Sequence, residues 1–311
     1  MKIAASRIDA CIARERNGEG PALRATVLAR GDGWAVEDVL CTHGPSDASF
    51  EERHARYRVA LVGAGTFQCR GWPGRELLTP GSLLLGNMGD SFECSHEHGT
   101  GDRCLAFAFS PEMFEQLAFE AGTAGKPRFR GLRVPPLASL APLVAETCTD
   151  WAEPASHHGL AWEELGVRIA AAALHHAADP VRSRRTPANA ERGIARTVRL
   201  IEREPGAPLA LHELAHEAAL SKFHFVRAFA RVTGLTPHRY LLRARLRSAA
   251  VRLATNDARI IEVALDCGFR DASNFNHAFR AEFGTAPREY RRLRRANARG
   301  TRADRRLARR S

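Results

Sequence analysis

The sequence lacks the features that would place it in a membrane or in an oxidising compartment. No apolar run approaches the ~18 residues that a membrane-spanning helix needs, although 44% of the residues are hydrophobic. Charges at Arg7, Asp9, Arg14 and Glu15 interrupt the N-terminus before the apolar core of a secretory signal can form. The 7 cysteines are scattered and odd in number, so no disulfide framework is indicated. We therefore expect a cytoplasmic protein with reduced thiols and no membrane partner.

Basic residues are scarce in the first part of the chain and abundant in the second. Residues 1–180 carry 17 Lys and Arg against 23 Asp and Glu, whereas residues 181–311 carry 29 against 12. A strongly basic half is typical of nucleic-acid binding, because each neutralised phosphate releases condensed counterions. A solvated basic tail is the alternative, but the excess persists without residues 296–311, which are predicted to be a disordered basic tail.

Residues 1–180 are predicted to form a β-rich domain that becomes helical from about residue 111. The runs RYRVALVG, TFQCRGW, ELLTPGSLLLGN, DSFECSHEH and RCLAFAF are short, apolar or alternating, which predicts strands of a sandwich or barrel. Segments 111–121, 137–151 and 160–178 are rich in Ala, Leu and Glu, which predicts helices. The last of these has an apolar face broad enough to pack against a neighbouring element or a second subunit. Residues 181–190 are polar and are predicted to be a linker.

One sequence pattern occurs twice in the basic half. FVRAFARVTGLTPHRY begins at Phe225 and FNHAFRAEFGTAPREY begins at Phe275, so the shared residues lie 50 positions apart. Each copy follows a short amphipathic helix, in LALHELAHEAAL and in RIIEVALDCGF. Ser221 and Asp271 are natural N-caps for second helices at 222–232 and 272–283, and a glycine follows each of these helices. The pattern therefore predicts two helix-turn-helix units in an all-helical domain, residues 191–295.

A helix predicted at 237–254 separates the two units. Pro237 suits its first position, where the missing N–H does no harm. A helix of this length rises roughly 27 Å, and the flanking elements would bring the two outward helices near one turn of B-DNA, ~34 Å. The spacing predicts that one chain reads two adjacent half-sites of double-stranded DNA. A purely structural duplication is the alternative.

Residues 191–295 resemble the DNA-binding domain of AraC/XylS-family transcription regulators over its whole length. The matching features are LALHELAHEAALS, F-x-x-x-F-x-x-x-x-G-x-T-P-x-x-Y from Phe225, the R-x-R-L of Arg243–Leu246, I-x-x-V-A-x-x-x-G-F from Ile260, and F-x-x-x-F-R-x-x-F-G-x-x-P-x-x-Y-R from Phe275. The resemblance implies a sequence-specific regulator, expected to be an activator, that works with RNA polymerase and performs no covalent chemistry. It also implies an α+β chain: a cupin-like β-barrel sensor with dimerisation helices, then an all-α double helix-turn-helix domain. A homodimer and an unidentified small-molecule effector follow from the same resemblance.

The resemblance also assigns DNA contacts to individual positions. The base-reading positions are Phe223, Val226, Arg227, Ala272, Ser273, Asn276 and His277. The phosphate-contacting positions are Lys222, Arg231, His238, Arg239, Arg280 and Arg288. Three positions depart from the family pattern: Ala210 replaces a capping residue, and Ala230 and His277 stand where basic residues are common. The second reader is therefore expected to discriminate bases more weakly than the first.

Two rival functions are open at this point. A cupin-type metalloenzyme tethered to DNA is disfavoured, because the cupin histidine pair is missing from its usual place and His54 is the one histidine just ahead of the RYRVALVG strand. TPGSLLLGN resembles the second cupin motif only loosely. An effector-less architectural DNA binder would show little sequence discrimination and a steep salt dependence.

The segment FECSHEHGTGDRCLAF carries the densest set of metal-ligand residues in the first half. Strand periodicity places Cys94, His96 and His98 on one face, and Cys104 is predicted to return through a hairpin. Two thiolates and two imidazoles could hold zinc or another thiophilic metal, which would make the chain a metal- or thiol-responsive regulator. Packed cysteines beside a hydrated histidine loop and redox sensing through Cys94 and Cys104 are the alternatives. The other cysteines show no pattern, although Cys267 is expected in a helical core.

Overall fold

The computed structural model describes residues 21–97, 101–122, 126–152, 159–177 and 187–296. The strands in this part of the chain are β1 Leu23–Gly31, β2 Trp34–Cys41, β3 Phe50–Arg53, β4 Tyr57–Gly65, β5 Phe67–Gly71, β6 Gly74–Leu78, β7 Leu83–Gly86, β8 Ser91–Ser95, β9 Asp102–Phe109 and β10 Arg133–Val134. The helices are α1 Pro111–Glu120, α2 Ala141–Ala152, α3 Gly159–Ala177, α4 Ala188–Arg203, α5 Leu211–Glu217, α6 Lys222–Thr233, α7 Pro237–Thr255, α8 Ile260–Asp266, α9 Ala272–Phe283 and α10 at 287–296. The predicted α+β class is therefore confirmed. None of the described helices combines the length and the apolar character needed to cross a bilayer.

The strands form two antiparallel sheets that face each other. One sheet has the order β1-β2-β9-β4-β7-β10 and the other β3-β8-β5-β6. Side chains of both sheets meet in one core, with Val62 and Cys104 from the larger sheet and Phe67 and Phe92 from the smaller. The cupin-like β-domain thus consists of two sheets whose edges, among the described strands, are not joined into a closed barrel.

Helices α1 to α3 cover the outer face of the larger sheet. Phe107 and Phe109 of β9 pack there against Phe114 of α1 and against Trp162 and Ile169 of α3. The broad apolar face predicted for the third helix is therefore used inside the chain, against a neighbouring element.

The strand predictions were incomplete and on one point wrong. Strands β1, β2 and β3 were not predicted, although β2 ends at Cys41, a member of the cysteine–histidine cluster described below. Strands β8 and β9 do not form the predicted hairpin: β8 pairs with β3 and β5, and β9 pairs with β2 and β4. The chain crosses from one sheet to the other between these two strands, so Cys94 and Cys104 lie on opposite walls of the core.

His54 is buried beneath the smaller sheet and is held uncharged. Its ring stacks on Phe92 with centroids 4.2 Å apart, and a Cβ at Gly86 would lie 2.4 Å from its Nε2. Burial first and the nearby Arg58 second lower the pKa of His54 to about 4, against an opposing effect of Asp90. The folded protein therefore binds this proton less tightly than the unfolded chain does.

The stability of the β-rich domain should fall on acidification because of His54. The stability that comes from burying His54 uncharged is fully present above the ordinary pKa of 6.5. It is lost as the pH falls towards about 4. From about pH 7 to about pH 5 we expect a loss of about 2 kcal/mol in the free energy of unfolding. Urea unfolding across this range should show a shallower decline for His54→Leu. The exposed control His212→Leu should keep the wild-type slope, and an unchanged slope in His54→Leu would contradict the assignment.

The helical domain contains two cores that share helix α7. Helices α4 to α6 pack on the first half of α7 around Ile194, Phe225, Phe229 and Tyr240. Helices α8 and α9 pack on its second half around Leu253, Val263, Phe275 and Phe279. The predicted separator helix is thus present at Pro237–Thr255 and is a structural part of both units. Helix α4 begins inside the segment predicted as a linker, whereas residues 178–186 and the predicted tail beyond residue 296 lie outside the described residues.

A segment of the β-rich domain contacts both halves of the helical domain. We name residues 133–136, which include strand β10, the strap. Nη1 of Arg133 donates to the carbonyl oxygens of Val232 at 2.7 Å and Leu77 at 3.1 Å. Nη1 of Arg243 donates to the carbonyl oxygen of Pro136 at 2.6 Å. A Cβ at Gly234 would lie 2.7 Å from Pro135, so the strap runs close to the end of α6.

Candidate nucleic-acid interface and cysteine–histidine cluster

Helices α5 and α6 form the first predicted helix-turn-helix unit. Oγ of Ser221 accepts the N–H of His224 at 3.4 Å and caps α6, and Gly234 ends that helix with a φ of 80°. Ala210 offers no capping side chain, and the carboxylate of Glu213 accepts its N–H at 2.7 Å instead. Ala219 in the turn has a φ of 54°, a left-handed conformation that costs roughly 1–2 kcal/mol for a residue other than glycine.

Helices α8 and α9 repeat this plan. Oδ1 of Asp271 accepts the N–H of Asn274 at 2.7 Å and caps α9, as predicted. Gly284 ends α9 with a φ of 71°, and Gly268 takes the left-handed turn position with a φ of 85°. The second unit therefore places a glycine where the first has the strained Ala219.

Helix α6 presents one apolar face to the core and a mixed face to solvent. Phe225 and Phe229 are fully buried, whereas Phe223 is 65% exposed and so does not cover the core. Cζ of Arg227 lies 5.4 Å from the centroid of the Phe223 ring, within the range of a cation–π contact. Val226 is half-buried at the edge of this surface. The three predicted base-reading residues of the first unit thus share one face of α6.

Helix α9 has the same division between its faces. Phe275 and Phe279 are buried, whereas Ser273, Asn276 and His277 are exposed. Ala272 is half-buried in the first turn. The predicted base-reading positions on this face carry small polar groups and an imidazole, which can donate and accept hydrogen bonds. The guanidinium on this helix belongs to Arg280, a predicted phosphate contact.

All six predicted phosphate contacts lie at the surface: Lys222, Arg231, His238, Arg239, Arg280 and Arg288. Lys222 and Arg239 lie in the first turns of α6 and α7, where free backbone N–H groups also favour an anion. Among the described residues, none of the six forms an ion pair. In contrast, Arg243, Arg247 and Arg252 of α7 pair with acidic side chains of the helical domain. The arginines that hold the domain together are thus ion-paired, whereas, within the described part of the chain, those among the predicted phosphate contacts are not and are available to a ligand.

The structure divides the predicted set of Cys94, His96, His98 and Cys104. Cys94 faces the inter-sheet core and lies opposite Cys69 on the neighbouring strand, and His98 lies outside the described residues. Donor atoms of Cys41, His96 and Asp102 lie within 4.8 Å of one another, in a group that does not include Cys94. Sγ of Cys104 is adjacent and donates to Oδ2 of Asp102 at 3.2 Å.

The sequence analysis missed Cys41 and Asp102. They are direct partners on the adjacent antiparallel strands β2 and β9. The C-x-H spacing of Cys41 and His43 was a local signal that went unused, and Sγ of Cys41 lies 3.4 Å from Nδ1 of His43. The pairing with Asp102 had no local signal, because it depends on the register of strands that are far apart in the chain.

The thiols of this region are held in the protonated form. Burial first and the carboxylate of Asp102 second raise the pKa of Cys41 to about 12, and the same two causes raise the pKa of Cys104 well above its usual value. A hydrogen bond with Cys69, followed by burial, raises the pKa of Cys94. Redox sensing depends on accessible thiolates, so this environment disfavours the redox alternative.

Comparison with known proteins points to the helical domain. A family model described as a helix-turn-helix domain matches residues 214–293. The HTH-type transcriptional activator RhaS of Escherichia fergusonii is 44% identical over 78 residues, which are 25% of this chain and 28% of RhaS. The chain therefore spans well under half the length of the curated relatives that it matches.

Two solved structures each match about a third of the chain. The DNA-binding domain of AdpA, crystallised with a target DNA, is 32% identical; the match covers 33% of this chain and 94% of that domain, with a TM-score of 0.33. A transcriptional regulator from Chromobacterium violaceum, described by its AraC-type DNA-binding domain, is 29% identical; the match covers 34% of this chain and 96% of that protein, with a TM-score of 0.33.

Proposed function

Because its C-terminal domain belongs to the AraC/XylS family of transcription regulators, we propose that this chain binds specific sequences in double-stranded DNA and thereby regulates transcription. The observation that carries the proposal is the pair of exposed helices, α6 and α9, each backed by its own core and both joined through α7. The excess of Lys and Arg in residues 181–311 supplies the sequence-independent part of the affinity.

The two helices are proposed to read bases with different strength. On α6, Arg227 can donate two hydrogen bonds to one guanine, and Phe223 and Val226 can contact thymine methyl groups. On α9, Asn276 can pair with adenine and His277 can donate or accept at a base edge, with Ala272 and Ser273 beside them. Helix α7 has 19 residues, a rise of about 28 Å, which fits half-sites about one helical turn apart.

Arg227→Ala is expected to weaken binding to the preferred sequence by ~1–3 kcal/mol and to relax the preference at one base position, because a bidentate contact is lost. Arg239→Ala is the matched control, since a phosphate contact carries no base information. This variant should weaken binding to all duplexes alike. It should also reduce the slope of log affinity against log salt concentration by about one. Capture of genomic fragments by each purified variant, followed by sequencing and titration at fixed salt, measures both effects.

The outcome for wild-type protein tests the function itself. Retained fragments should share two sequence blocks about one helical turn apart. Equal retention of all sequences would support the architectural DNA binder instead. If Arg227→Ala lowered the affinity for all DNA sequences equally, DNA binding would still stand as the function. The assignment of Arg227 to base reading would be wrong.

Regulation is proposed to act through the β-rich domain as an effector sensor. The strap contacts the first unit at Val232 and the second through Arg243, which pairs with Glu282 of α9. A small molecule that shifts the strap would therefore change how the two units are held, a shift of population between two arrangements. We propose that the chain acts in the cytoplasm as a homodimer, activates transcription with RNA polymerase, and has no enzymatic activity.

A metal-responsive regulator is the second candidate. The grouping of Cys41, His96 and Asp102 inside the β-rich domain favours it. In that case a metal ion takes the place of the organic effector, and the ligands differ from the set predicted from the sequence.

A further inference from the structure

Three buried side chains from both sheets meet at one end of the inter-sheet core. Cys41 is the last residue of β2, Asp102 is the first residue of β9, and His96 follows β8 of the opposite sheet. Their relative exposures are 2%, 5% and 3%. One donor atom from each lies within 4.8 Å of the others. Two ligands of a tetrahedral zinc ion are about 3.5 Å apart, so small movements of these side chains would bring their donor atoms to coordination distances.

Further soft donors surround these three residues. Sγ of Cys104 contacts Asp102 at 3.2 Å, and Nδ1 of His43 lies 3.4 Å from Sγ of Cys41. The neighbourhood therefore offers two sulfur atoms, two imidazoles and one carboxylate. This is the donor chemistry that zinc prefers over calcium or magnesium, which take oxygen ligands.

The two nitrogens of His96 have unequal surroundings. Nε2 lies 2.6 Å from Oδ1 of Asp102, whereas Nδ1 is buried without a hydrogen-bond partner. An unpaired buried nitrogen costs about 1–3 kcal/mol in a purely structural role. A metal ion bound to His96 and Asp102 together would use Nε2, which faces the carboxylate, and would replace their hydrogen bond. Nδ1 would then carry the ring proton, and its lack of a partner means that hydrogen bonding alone does not explain the burial of this ring.

A cleft leads from solvent to His96. It is lined by charged and polar side chains, among them Asp47, Arg70, Arg75 and Glu97, with His96 at its wall. Oε2 of Glu97 pairs with Nη2 of Arg75 at 3.2 Å, and Arg75 acts electrostatically on Glu191 of α4. The cleft therefore reaches His96, one of the three residues, and lies close to the first helix of the DNA-binding domain.

We propose that Cys41, His96 and Asp102 bind one zinc ion, with Cys104 and His43 as the neighbouring donors available to complete its coordination. Zinc binds cysteine as the thiolate, so binding must release protons. This inference does not depend on DNA binding. In the metal-ligand set predicted from the sequence, it replaces Cys94 and His98 by Cys41 and Asp102.

Titration of chelator-treated full-length protein with Co²⁺, then with Zn²⁺, tests the proposal without any DNA. Wild type should bind one Co²⁺ per chain with a thiolate-to-cobalt charge-transfer band, which Zn²⁺ should abolish while protons are released. Cys41→Ala and His96→Gln should lower the affinity at least tenfold. Cys94→Ala is the matched control and should bind as wild type does, because Cys94 faces Cys69.

Two results would overturn the proposal. One is wild-type protein that shows no saturable Co²⁺ band, a measurement that needs no variant to fold. The other is a Cys94→Ala variant that loses binding as fully as Cys41→Ala, which would restore the ligand set predicted from the sequence. Circular dichroism of each variant identifies losses that come from misfolding, and the wild-type titration decides the question if the variants fail to fold.

Discussion

Replacement of Gly193 by alanine should destabilise the helical domain by about 3 kcal/mol. In most helices this substitution is favourable by about 1 kcal/mol. Here a Cβ would lie 2.2 Å from the carbonyl oxygen of Ala218 and 2.9 Å from its Cα, because α4 crosses the end of α5 at close range. The obstructing atoms are backbone, which cannot rotate away as a side chain can, so α4 must move. Oγ1 of Thr197, which bonds to the carbonyl oxygens of Gly193 and Leu214, would move with it.

Urea unfolding followed by circular dichroism measures this effect. Gly131→Ala is the control, because its Cβ would meet no heavy atom within 4 Å. That variant should unfold within about 0.5 kcal/mol of wild type. A Gly193→Ala protein as stable as the control would show that α4 and α5 are not packed as closely as described.

Replacement of Arg247 by methionine is expected to lower the free energy of unfolding by about 3–5 kcal/mol near neutral pH. Nη2 of Arg247 lies 2.5 Å from Oε1 of Glu202, with side-chain exposures of 6% and 9%, so the pair joins α7 to α4 out of contact with water. Without the guanidinium, the carboxylate is left buried and uncompensated. Burial already raises the pKa of Glu202, and removal of Arg247 removes the opposing effect. The penalty should therefore shrink as the pH is lowered and the carboxyl group takes up a proton.

A double variant distinguishes a buried charge from lost packing. Glu202→Leu combined with Arg247→Met should recover most of the lost stability, because replacement of a buried ion pair by apolar residues is often neutral or stabilising. Urea unfolding of the wild type, both single variants and the double variant at two pH values gives the double-mutant cycle that measures the coupling between the two residues. A double variant no more stable than Arg247→Met would mean that the arginine acts by packing on Tyr240, whose ring centroid lies 5.9 Å from its Cζ.

The helical domain was predictable from the sequence because its signals are local. Ser221 and Asp271 cap the helices that they were predicted to cap, and Gly234 and Gly284 end them. Each of these features depends on a few consecutive residues and on the 3.6-residue period. Even the departure at Ala210 has a local solution, the carboxylate of Glu213.

The cysteine–histidine cluster was only partly predictable. Strand periodicity placed Cys94 and His96 on one face correctly, since both are buried. It could not show that β9 lies in the other sheet, or that Cys41 is paired with Asp102. Strand pairing is decided by contacts between distant residues, and a single sequence carries no direct record of them.

The contact between the two domains was not predicted for the same reason. Arg133 and Val232 are far apart in sequence, and a buried arginine looks like any other basic residue in a composition count. Its burial beside Glu76, 3.2 Å away, is visible only in the folded chain.

The strap has a consequence for how this protein can diverge. Arg133 and Arg243 bind carbonyl oxygens of the main chain, at Val232, Leu77 and Pro136. Every residue type has such an oxygen, so these bonds place no demand on the identity of their acceptors. As far as these bonds are concerned, lineages could change the acceptor residues freely, whereas loss of either arginine would remove the bonds that it donates. We therefore expect the two arginines to persist among close homologues, while the acceptor positions are constrained only by their packing. A sensor could then acquire a new specificity without losing its attachment to the DNA-binding domain.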